Sequence, residues 1–279
     1  MNENNTAKDE VNSKEITVLG IPLDKNSSFR RGSALAPQRI RDALYSKSTN
    51  LWTETGIDLG SISGWQFLDD LEFSDQMAVF AKIEYKINEL LRRKAQIISL
   101  GGDHSITYPI IRAYAKMYNN LSIMHLDAHP DLYDELEGNR YSHGCPFARI
   151  MEENLVSRLV QVGIRTLTDH QREQAERFSV EIVEMKEIER AGGIKFDGPV
   201  YLSLDLDCLD PAFAPGVSHY EPGGMSTREV LRIIQNLKGV LVGADIVEYN
   251  PERDVHGITG MVAAKLLKEI ISRMLAKNK

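Results

Sequence analysis

Short apolar segments that alternate with helical patterns are the feature of this chain that most constrains its fold. Strands are predicted at ITVLGIP (from Ile16), QIISLG (from Gln96), LSIMHLD (from Leu121), LVQVGIR (from Leu159), VEIVEM (from Val180), PVYLSLDLD (from Pro199) and VLVGADIVEY (from Val240), with a weaker one near Asp58. Several are rich in Val, Ile and Leu on both faces, which is typical of parallel strands covered by helices on each side. The alternation predicts an α/β fold, a three-layer αβα sandwich with a mainly parallel, roughly eight-stranded central sheet, although a barrel fits the same pattern.

The predicted helices carry apolar residues at spacings of three and four. Between Asp75 and Arg93 this stripe consists of Phe80, Ile83, Ile87 and Leu90. Ser226 and Glu229 match a capping box at the start of another helix. The remaining predictions are a loop over residues 30–43 that enters a helix near Pro37, and a last helix from about Thr259 to Met274.

Composition excludes several classes of protein. With 42% hydrophobic and 26% charged residues, the 279-residue chain is typical of a globular protein with a large core. The net charge of −7 argues against nucleic acid or an anionic membrane as the main partner and fits a small cationic substrate better than an anionic one. No apolar run approaches membrane-spanning length. We therefore expect no nucleic-acid partner and no membrane partner.

The cysteines and the N-terminus bear on the cellular location. Cys145 and Cys208, the two cysteines of the chain, form no disulfide framework and no metal-binding Cys pattern, which favours a reducing compartment. Residues 1–14 are polar and resemble neither a secretion signal nor a transit peptide. We expect a flexible leader over residues 1–14, a single domain over residues 15–279, and a cytoplasmic protein.

Three clusters of acidic residues and histidines follow predicted strands. They read GGDHS (Gly101 to Ser105), DAHPD (Asp127 to Asp131) and SLDLDCLDP (Ser203 to Pro211). Open parallel sheets bind ligands at the carboxyl ends of their strands, so the clusters converge if these strands are neighbours. The side chains expected to meet are His104, Asp127, His129, Asp131, Asp205 and Asp207.

Four grouped carboxylates indicate a metal site with two ions. Asp127 and His129 are two residues apart, as are Asp205 and Asp207, so each pair points to one face if its strand continues through it. Buried acidic groups are costly unless they are paired or metal-bound, and crowding without a cation raises their pKa values. Two divalent ions balance four Asp charges. Oxygen-rich ligation with two imidazoles suits manganese, with nickel, cobalt and iron as alternatives.

These clusters, with the His143 segment and DIVEYNP, resemble the ureohydrolase family of arginases, agmatinases and related guanidino hydrolases. The resemblance runs in order from about Ile16 to the C-terminus, and YSHGCPFARIMEEN, QVGIR, DCLDPAFAPGVSHYEPGG and GADIVEYNPERD are most similar to plant-type arginases and their bacterial relatives. It implies a binuclear manganese centre on an αβα sandwich. One ion would be bound by His104 and Asp131 and the other by His129 and Asp207, with Asp127 and Asp205 bridging them.

The resemblance also implies roles for residues around the ions. Glu248 matches the carboxylate that binds the substrate guanidinium, for which two parallel hydrogen bonds are favourable. His143 matches the histidine that passes protons to the leaving amine. His219 lies in VSHYEPGG, the plant-arginase form of its loop, and is expected to contact the guanidinium or line the pocket mouth. The alternatives are a salt-bridged loop carboxylate for Glu248 and loop histidines without a role for the other two.

The tail of the substrate is open to more than one reading. In animal arginases the loop before the active-site histidine binds the α-carboxylate through Ser and Asn, and here Asn139 and Arg140 occupy that loop and are expected to bind the substrate. The animal pattern itself is absent. Its absence and the acidic chain favour agmatine, which yields putrescine and urea. The alternative is arginine, which yields ornithine and urea, or activity on both, with guanidino acids or guanidine remaining.

Two further classes compete with these enzymes. One is a non-catalytic binding protein of the same fold, and the other is a zinc amidohydrolase of the deacetylase type, which would keep one metal and fewer acidic ligands. The complete set of metal positions and Glu248 argue against both. The resemblance implies a homotrimer or homohexamer. The roles of Asp103, Asp245 and Cys145 stay open.

Overall fold

One eight-stranded sheet forms the middle layer of the computed structural model, which describes residues 15–73 and 79–276. Its strands are β1 (Ile16–Ile21), β2 (Trp65–Phe67), β3 (Gln96–Gly101), β4 (Ser122–Leu126), β5 (Arg158–Ile164), β6 (Glu181–Glu184), β7 (Lys195–Asp205) and β8 (Lys238–Val247). They lie in the order β2-β1-β3-β8-β7-β4-β5-β6, and each neighbouring pair is parallel. The sheet is open, with β2 and β6 at its edges, so the barrel alternative is excluded.

Helices cover both faces of the sheet. They are α1 (Ala36–Leu44), α2 (Val79–Arg92), α3 (Thr107–Ala115), α4 (Pro146–Glu152), α5 (Asp169–Arg177), α6 (Thr227–Asn236) and α7 (Ile258–Leu275). One hydrophobic cluster joins the sheet to α1, α6 and α7, and a second joins it to α2, α3, α4 and α5. Because side chains alternate along a strand, Val18 enters the first cluster and Leu19 the second. The predicted αβα sandwich is confirmed.

The predicted helix starts agree with the structure. Pro37 lies in the first turn of α1, where its missing N–H costs nothing. At the start of α6, the Ser226 hydroxyl accepts from the Glu229 N–H and the Glu229 carboxylate accepts from the Ser226 N–H, which is the predicted capping box. In α2, Ile83, Ile87 and Leu90 are buried, as the stripe required. Residues 75–78 of that prediction and the leader over residues 1–14 lie outside the described residues.

The weak strand predicted near Asp58 is wrong. Asp58 forms a single antiparallel bridge with Trp52, and the eighth strand is β2, which pairs with β1 at the sheet edge. Only three residues long and partly exposed, β2 lacks the continuous apolar run that marks the inner strands. Among the described helices, none is both long enough and apolar enough to cross a bilayer.

The strand order explains why the acidic clusters meet. Strands β3, β8, β7 and β4 are adjacent in the centre of the sheet, and all run the same way. GGDHS begins at the last residue of β3, DIVEYNP spans the end of β8, DLD begins at the last residue of β7, and DAHPD follows β4. Four segments that carry acidic residues or histidines therefore lie side by side at the carboxyl ends of the central strands.

Candidate metal centre

Each acidic cluster turns away from its strand at the first carboxylate. Strand β4 ends before Asp127, whose Oδ1 accepts the His129 N–H at 2.6 Å. Strand β7 ends at Asp205, whose Oδ1 accepts the Asp207 N–H at 2.8 Å and starts a short 3₁₀ turn. The strands do not continue through these pairs, so the condition for side chains on one face is not met: a carboxylate that accepts from the N–H two residues on folds the chain into a turn. The pairs converge through these turns instead.

The first group of side chains surrounds His104. Asp103 caps the 3₁₀ turn that carries His104 by accepting the Ser105 N–H at 3.0 Å. Nδ1 of His104 lies 3.2, 3.1 and 3.2 Å from the Oδ2 atoms of Asp127, Asp131 and Asp205 respectively. Asp131 has a φ of 50°, and this left-handed turn brings its carboxylate back towards His104. One fully buried imidazole nitrogen therefore faces three carboxylates.

The second group surrounds His129. Nδ1 of His129 lies 2.9 Å from Asp207 Oδ2 and 3.4 Å from Asp127 Oδ1. The two oxygens of Asp127 therefore face different groups, Oδ2 towards His104 and Oδ1 towards His129. The structure thus brings together all six residues of the predicted metal site, in two groups that share one carboxylate.

The electrostatics of the cluster fit divalent cations. Burial, followed by the neighbouring charges of Asp207 and Asp127, raises the pKa of Asp205 well above its usual value. Burial and Asp127 likewise raise the pKa of Asp207 to about 6. Nδ1 of His104 is buried and makes no hydrogen bond in the described part of the chain. Crowded carboxylates and a free imidazole nitrogen are the donor set that manganese and similar ions bind.

Glu248 connects the cluster to a histidine. It follows β8 with a φ of 63°, and its Oε1 accepts the His104 N–H at 2.9 Å and lies 3.0 Å from His143 Nδ1. Nε2 of His143 lies 2.8 Å from the Ser28 hydroxyl. Burial lowers the pKa of His143, but the charge of Glu248 outweighs it and raises that pKa to about 9. Oε2 of Glu248 is buried and makes no hydrogen bond to any described residue.

A cavity of about 160 Å³ opens over these groups. Asp131, Asp205, Asp207, His129, His143 and Glu248 all line it. His219 lines it too, with its ring stacked on His143 at a centroid distance of 5.1 Å and an interplanar angle of 27°. Thr166 and Gln171 contribute polar side chains to the same wall. The cavity thus joins the carboxylate cluster to a small set of hydrogen-bonding groups.

Asn139 and Arg140 are not brought to this cavity. The Arg140 guanidinium is half-exposed and pairs with Asp134 at 2.7 Å and Glu152 at 3.1 Å. Asn139 accepts the Tyr141 N–H through its side-chain oxygen, so it shapes its own loop. This geometry gives no support to the expectation that these two residues bind the substrate, because Asp134 and Glu152 hold the Arg140 guanidinium and the Asn139 side-chain oxygen accepts within its own loop.

The sequence did not single out His125 and Ser28, and it left the role of Asp245 open. His125 lies in β4 with Nε2 at 2.7 Å from Asp127 Oδ2, and its signal was a polar residue inside an apolar run. Asp245, whose role was open, accepts from the Ser203 hydroxyl, which in turn lies 2.9 Å from His104 Nε2. Ser28 comes from a loop without a motif, so no local signal pointed to it.

Comparison with known proteins identifies this arrangement. The arginase family matches residues 14–272. The chain belongs to the arginase family. Arginase 1, mitochondrial, of Arabidopsis thaliana is 46% identical over 279 residues, covering 92% of this chain and 80% of its own length. The predicted ureohydrolase family and its action on guanidino C–N bonds are therefore confirmed.

Two solved structures extend the comparison. An arginase from Medicago truncatula superposes with a TM-score of 0.88 at 44% identity, covering 94% of this chain and 87% of that one. An agmatine ureohydrolase of Thermoplasma volcanium gives a TM-score of 0.82 at 33% identity, covering 95% and 92%.

The comparison contradicts the predicted cytoplasmic location. The similar arginases from Arabidopsis, rice and Medicago carry names that place them in mitochondria, or in chloroplasts and mitochondria. Unpaired cysteines indicate a reducing compartment, and this does not distinguish the cytosol from the interior of an organelle.

Proposed function

We propose that this protein is a manganese-dependent arginase that hydrolyses L-arginine to L-ornithine and urea. The observation that carries the proposal is the Asp127 carboxylate, whose two oxygens face two separate histidine groups beneath the cavity that holds Glu248. Arginine is preferred to agmatine because the similar plant arginases are 43–47% identical to this chain, against 33% for the agmatine ureohydrolase. The comparisons thus favour the alternative substrate of the sequence analysis.

Six residues would hold two manganese ions. His104 and Asp131 would bind one, and His129 and Asp207 the other. Asp127 and Asp205 would be shared, which the opposed oxygens of Asp127 support. Two such cations, when bound, lower the pKa of a coordinated water towards neutrality and so supply a nucleophile at neutral pH.

Glu248 would bind the guanidinium of the substrate. Its Oε1 already accepts the His104 N–H, whereas Oε2 is buried, has no partner in residues 15–73 and 79–276, and needs a donor. A guanidinium supplies such N–H groups in a plane and carries the opposite charge. This contact would hold the guanidinium carbon over the carboxylate cluster, where the nucleophile attacks it.

His143 would supply the proton that the leaving amine requires. The neighbouring Glu248 raises its pKa to about 9, so the imidazole stays protonated at neutral pH. Ser28 fixes the ring from the other side, through the contact of its hydroxyl with Nε2. When the C–N bond breaks, the electron pair stays on the amine nitrogen, which takes a proton from His143 and leaves urea behind.

Gln171 supports arginine as the substrate. Its Oε1 accepts from the N–H and the hydroxyl of Thr168, at 3.2 and 3.1 Å, so the amide NH₂ has a fixed orientation. That NH₂ donates to no described residue, although Gln171 is only 3% exposed and lines the cavity. A carboxylate accepts from such a donor, and arginine has a carboxylate where agmatine has none. A donor that faces the cavity and has no partner among the described residues favours the substrate with a carboxylate over agmatine, which lacks it.

Urea release from the manganese-loaded protein tests the proposal. We expect kcat/KM for L-arginine to exceed that for agmatine, guanidinobutyrate and guanidine by at least about tenfold. Agmatine as the better substrate would overturn arginine while retaining ureohydrolase chemistry. No urea from any of the four would overturn the enzymatic proposal. Fewer than two manganese ions per chain would overturn the binuclear centre.

We also propose that residues 15–279 form one catalytic domain and that it assembles as a homotrimer or homohexamer. The family match over residues 14–272 supports the single domain. Sedimentation equilibrium measures the assembly, and a monomer at micromolar concentration would contradict it.

A further inference from the structure

His125 is a buried polar residue in contact with the shared carboxylate. It lies in β4, two residues before Asp127, and has no exposed surface. Its Nε2 lies 2.7 Å from Asp127 Oδ2, the oxygen that also faces His104. The ring packs on Phe147 with centroids 4.0 Å apart. His125 therefore touches the carboxylate on which the two-cation centre proposed above depends, and the proposed function gives it no role.

Gln161 determines which nitrogen of His125 carries the proton. It is the direct neighbour of His125 across the β4–β5 pair, and its Nε2 lies 3.0 Å from His125 Nδ1. The same Nε2 donates to the Pro130 carbonyl at 2.6 Å. A carbonyl oxygen only accepts, so the amide must present its NH₂ group on this side. His125 Nδ1 is then an acceptor, and the proton of a neutral ring is on Nε2, directed at Asp127.

The Gln161 amide oxygen supports this orientation. It is buried and makes no hydrogen bond in the described structure. A flipped amide would place that oxygen against the Pro130 carbonyl oxygen. Two acceptors in contact cost more free energy than one buried oxygen without a hydrogen bond. Gln161 thus holds both the His125 ring and the backbone between His129 and Asp131, which is the loop that carries the predicted ligands.

The hydrogen bond from His125 fixes how Asp127 divides its oxygens. With Oδ2 held by His125 and Oδ1 held by the His129 N–H at 2.6 Å, the carboxylate plane cannot rotate freely. Each oxygen then remains directed at its own histidine group. Without the His125 donor, Oδ2 is free to turn, and both oxygens can serve one group while the other loses a ligand.

We propose that His125, oriented by Gln161, is a positioning residue that sets how the Asp127 carboxylate is shared between the two cation sites. This inference rests on the proposed two-cation centre. It assigns His125 a hydrogen bond to a ligand, although the ligand atoms of His104, His125 and Asp127 also lie close enough together to hold an ion directly.

Matched substitutions separate these roles. His125→Gln keeps an N–H donor near the position of Nε2 but removes the imidazole, whereas His125→Leu removes the donor and keeps apolar bulk. Gln161→Leu removes the group that orients the ring. Phe147→Leu changes the packing against both His125 and His104 without removing a side-chain hydrogen bond, and it is the control for packing. Manganese affinity is measured for both sites by chelator competition, together with the spin-coupled signal of the manganese pair, kcat and KM.

We expect the weaker-binding manganese of His125→Leu to lose about 10- to 100-fold in affinity, with the spin-coupled signal reduced and kcat lowered more than KM is raised. Gln161→Leu should show the same change to a smaller degree, and His125→Gln and Phe147→Leu should stay within about threefold of the unmodified protein. If His125→Leu does not fold, the manganese affinities of His125→Gln and Gln161→Leu still show whether His125 positions Asp127 through a hydrogen bond.

Three results would overturn the inference. The first is unchanged manganese affinity of both sites in Gln161→Leu and in any His125→Leu protein that can be purified. The second is a loss of affinity in His125→Gln as large as in His125→Leu or Gln161→Leu, which would make the imidazole a direct ligand. The third is an equal loss of affinity in Phe147→Leu. An unmodified protein that fails to bind two cations would instead overturn the proposed function, so the two failures are distinguishable.

Discussion

At the scale of single residues, Gln171 belongs both to the capping box of α5 and to the lining of the cavity. Its oxygen completes the capping box of α5, and its amide NH₂ is left for the cavity. Gln171→Glu keeps the cap, because Glu is equally suited to that position, but it replaces the donor with a negative charge. We expect kcat/KM for arginine to fall at least about tenfold, with agmatine unchanged or improved, since its terminal ammonium attracts a carboxylate.

The control for Gln171→Glu is Gln174→Glu, one turn further along α5. Gln174 is also buried, but its side chain donates to the Leu132 carbonyl and does not line the cavity. Steady-state urea release with both substrates gives the ratio of kcat/KM for arginine to kcat/KM for agmatine in each variant. An equal fall for arginine and agmatine in Gln171→Glu would show that this side chain does not read the carboxylate.

Arg140 differs from Gln171: the sequence predicted that it binds the substrate, but in the structure it forms ion pairs away from the cavity. Its ion pairs with Asp134 and Glu152 lie at the surface. Arg140→Ala should therefore leave KM for arginine within about twofold, because exposed ion pairs contribute little. A KM that rises severalfold for arginine and not for agmatine would return Arg140 to the substrate site.

At the scale of elements, the loops after β1, β3 and β8 meet at Gly102. The Gly102 N–H donates to the Ile21 carbonyl, and the Glu248 N–H donates to the Gly102 carbonyl. A Cβ on Gly102 would lie 1.7 Å from the Leu23 carbonyl oxygen, so Gly102→Ala must push the loops apart. We expect a loss of about 2 kcal/mol or more in unfolding free energy and about 100-fold in kcat/KM, because His104 and Glu248 both shift.

Gly192→Ala is the matched control for Gly102→Ala, since its Cβ would meet nothing within 4 Å. Chemical denaturation and urea release on both variants make the comparison. Native-like stability and activity in Gly102→Ala would mean that the three loops are not locked together at this point.

The same elements show how far the sequence determines the site. The inner strands and the cap of α6 followed from local patterns, and the proposed metal-binding residues followed from their place after apolar runs. The adjacency of β3, β8, β7 and β4 did not, because strand order depends on contacts between distant segments. Ser28 and Gln171 were missed because their approach to the site also depends on contacts between distant segments. The turn at Asp131, with its φ of 50°, was equally invisible because nothing in DAHPD demands a left-handed residue.

At the scale of the whole molecule, the fold gathers a group of buried carboxylates at the carboxyl ends of its central strands. Asp127, Asp205 and Asp207 are almost fully buried between the two hydrophobic clusters. Ionised and without cations, they repel one another in a poorly solvated place. Cation binding and global stability should therefore be coupled.

Removal of the cations should reverse the pH dependence of stability. In the cation-free protein the pKa of Asp207 is raised to about 6 and that of Asp205 well above its usual value, so the folded state holds protons that the unfolded state releases. Their stabilising contribution is lost as pH rises through the folded pKa. From about pH 7.5 to pH 5, Asp207 alone should add about 1 kcal/mol to the free energy of unfolding, which corresponds to roughly 2–4 °C in Tm.

With manganese bound, protons compete with the ions, and Tm should fall over the same interval. Thermal unfolding with manganese and with a chelator measures both curves. A chelated protein whose Tm also falls on acidification would refute the view that the ions are there to balance buried acids.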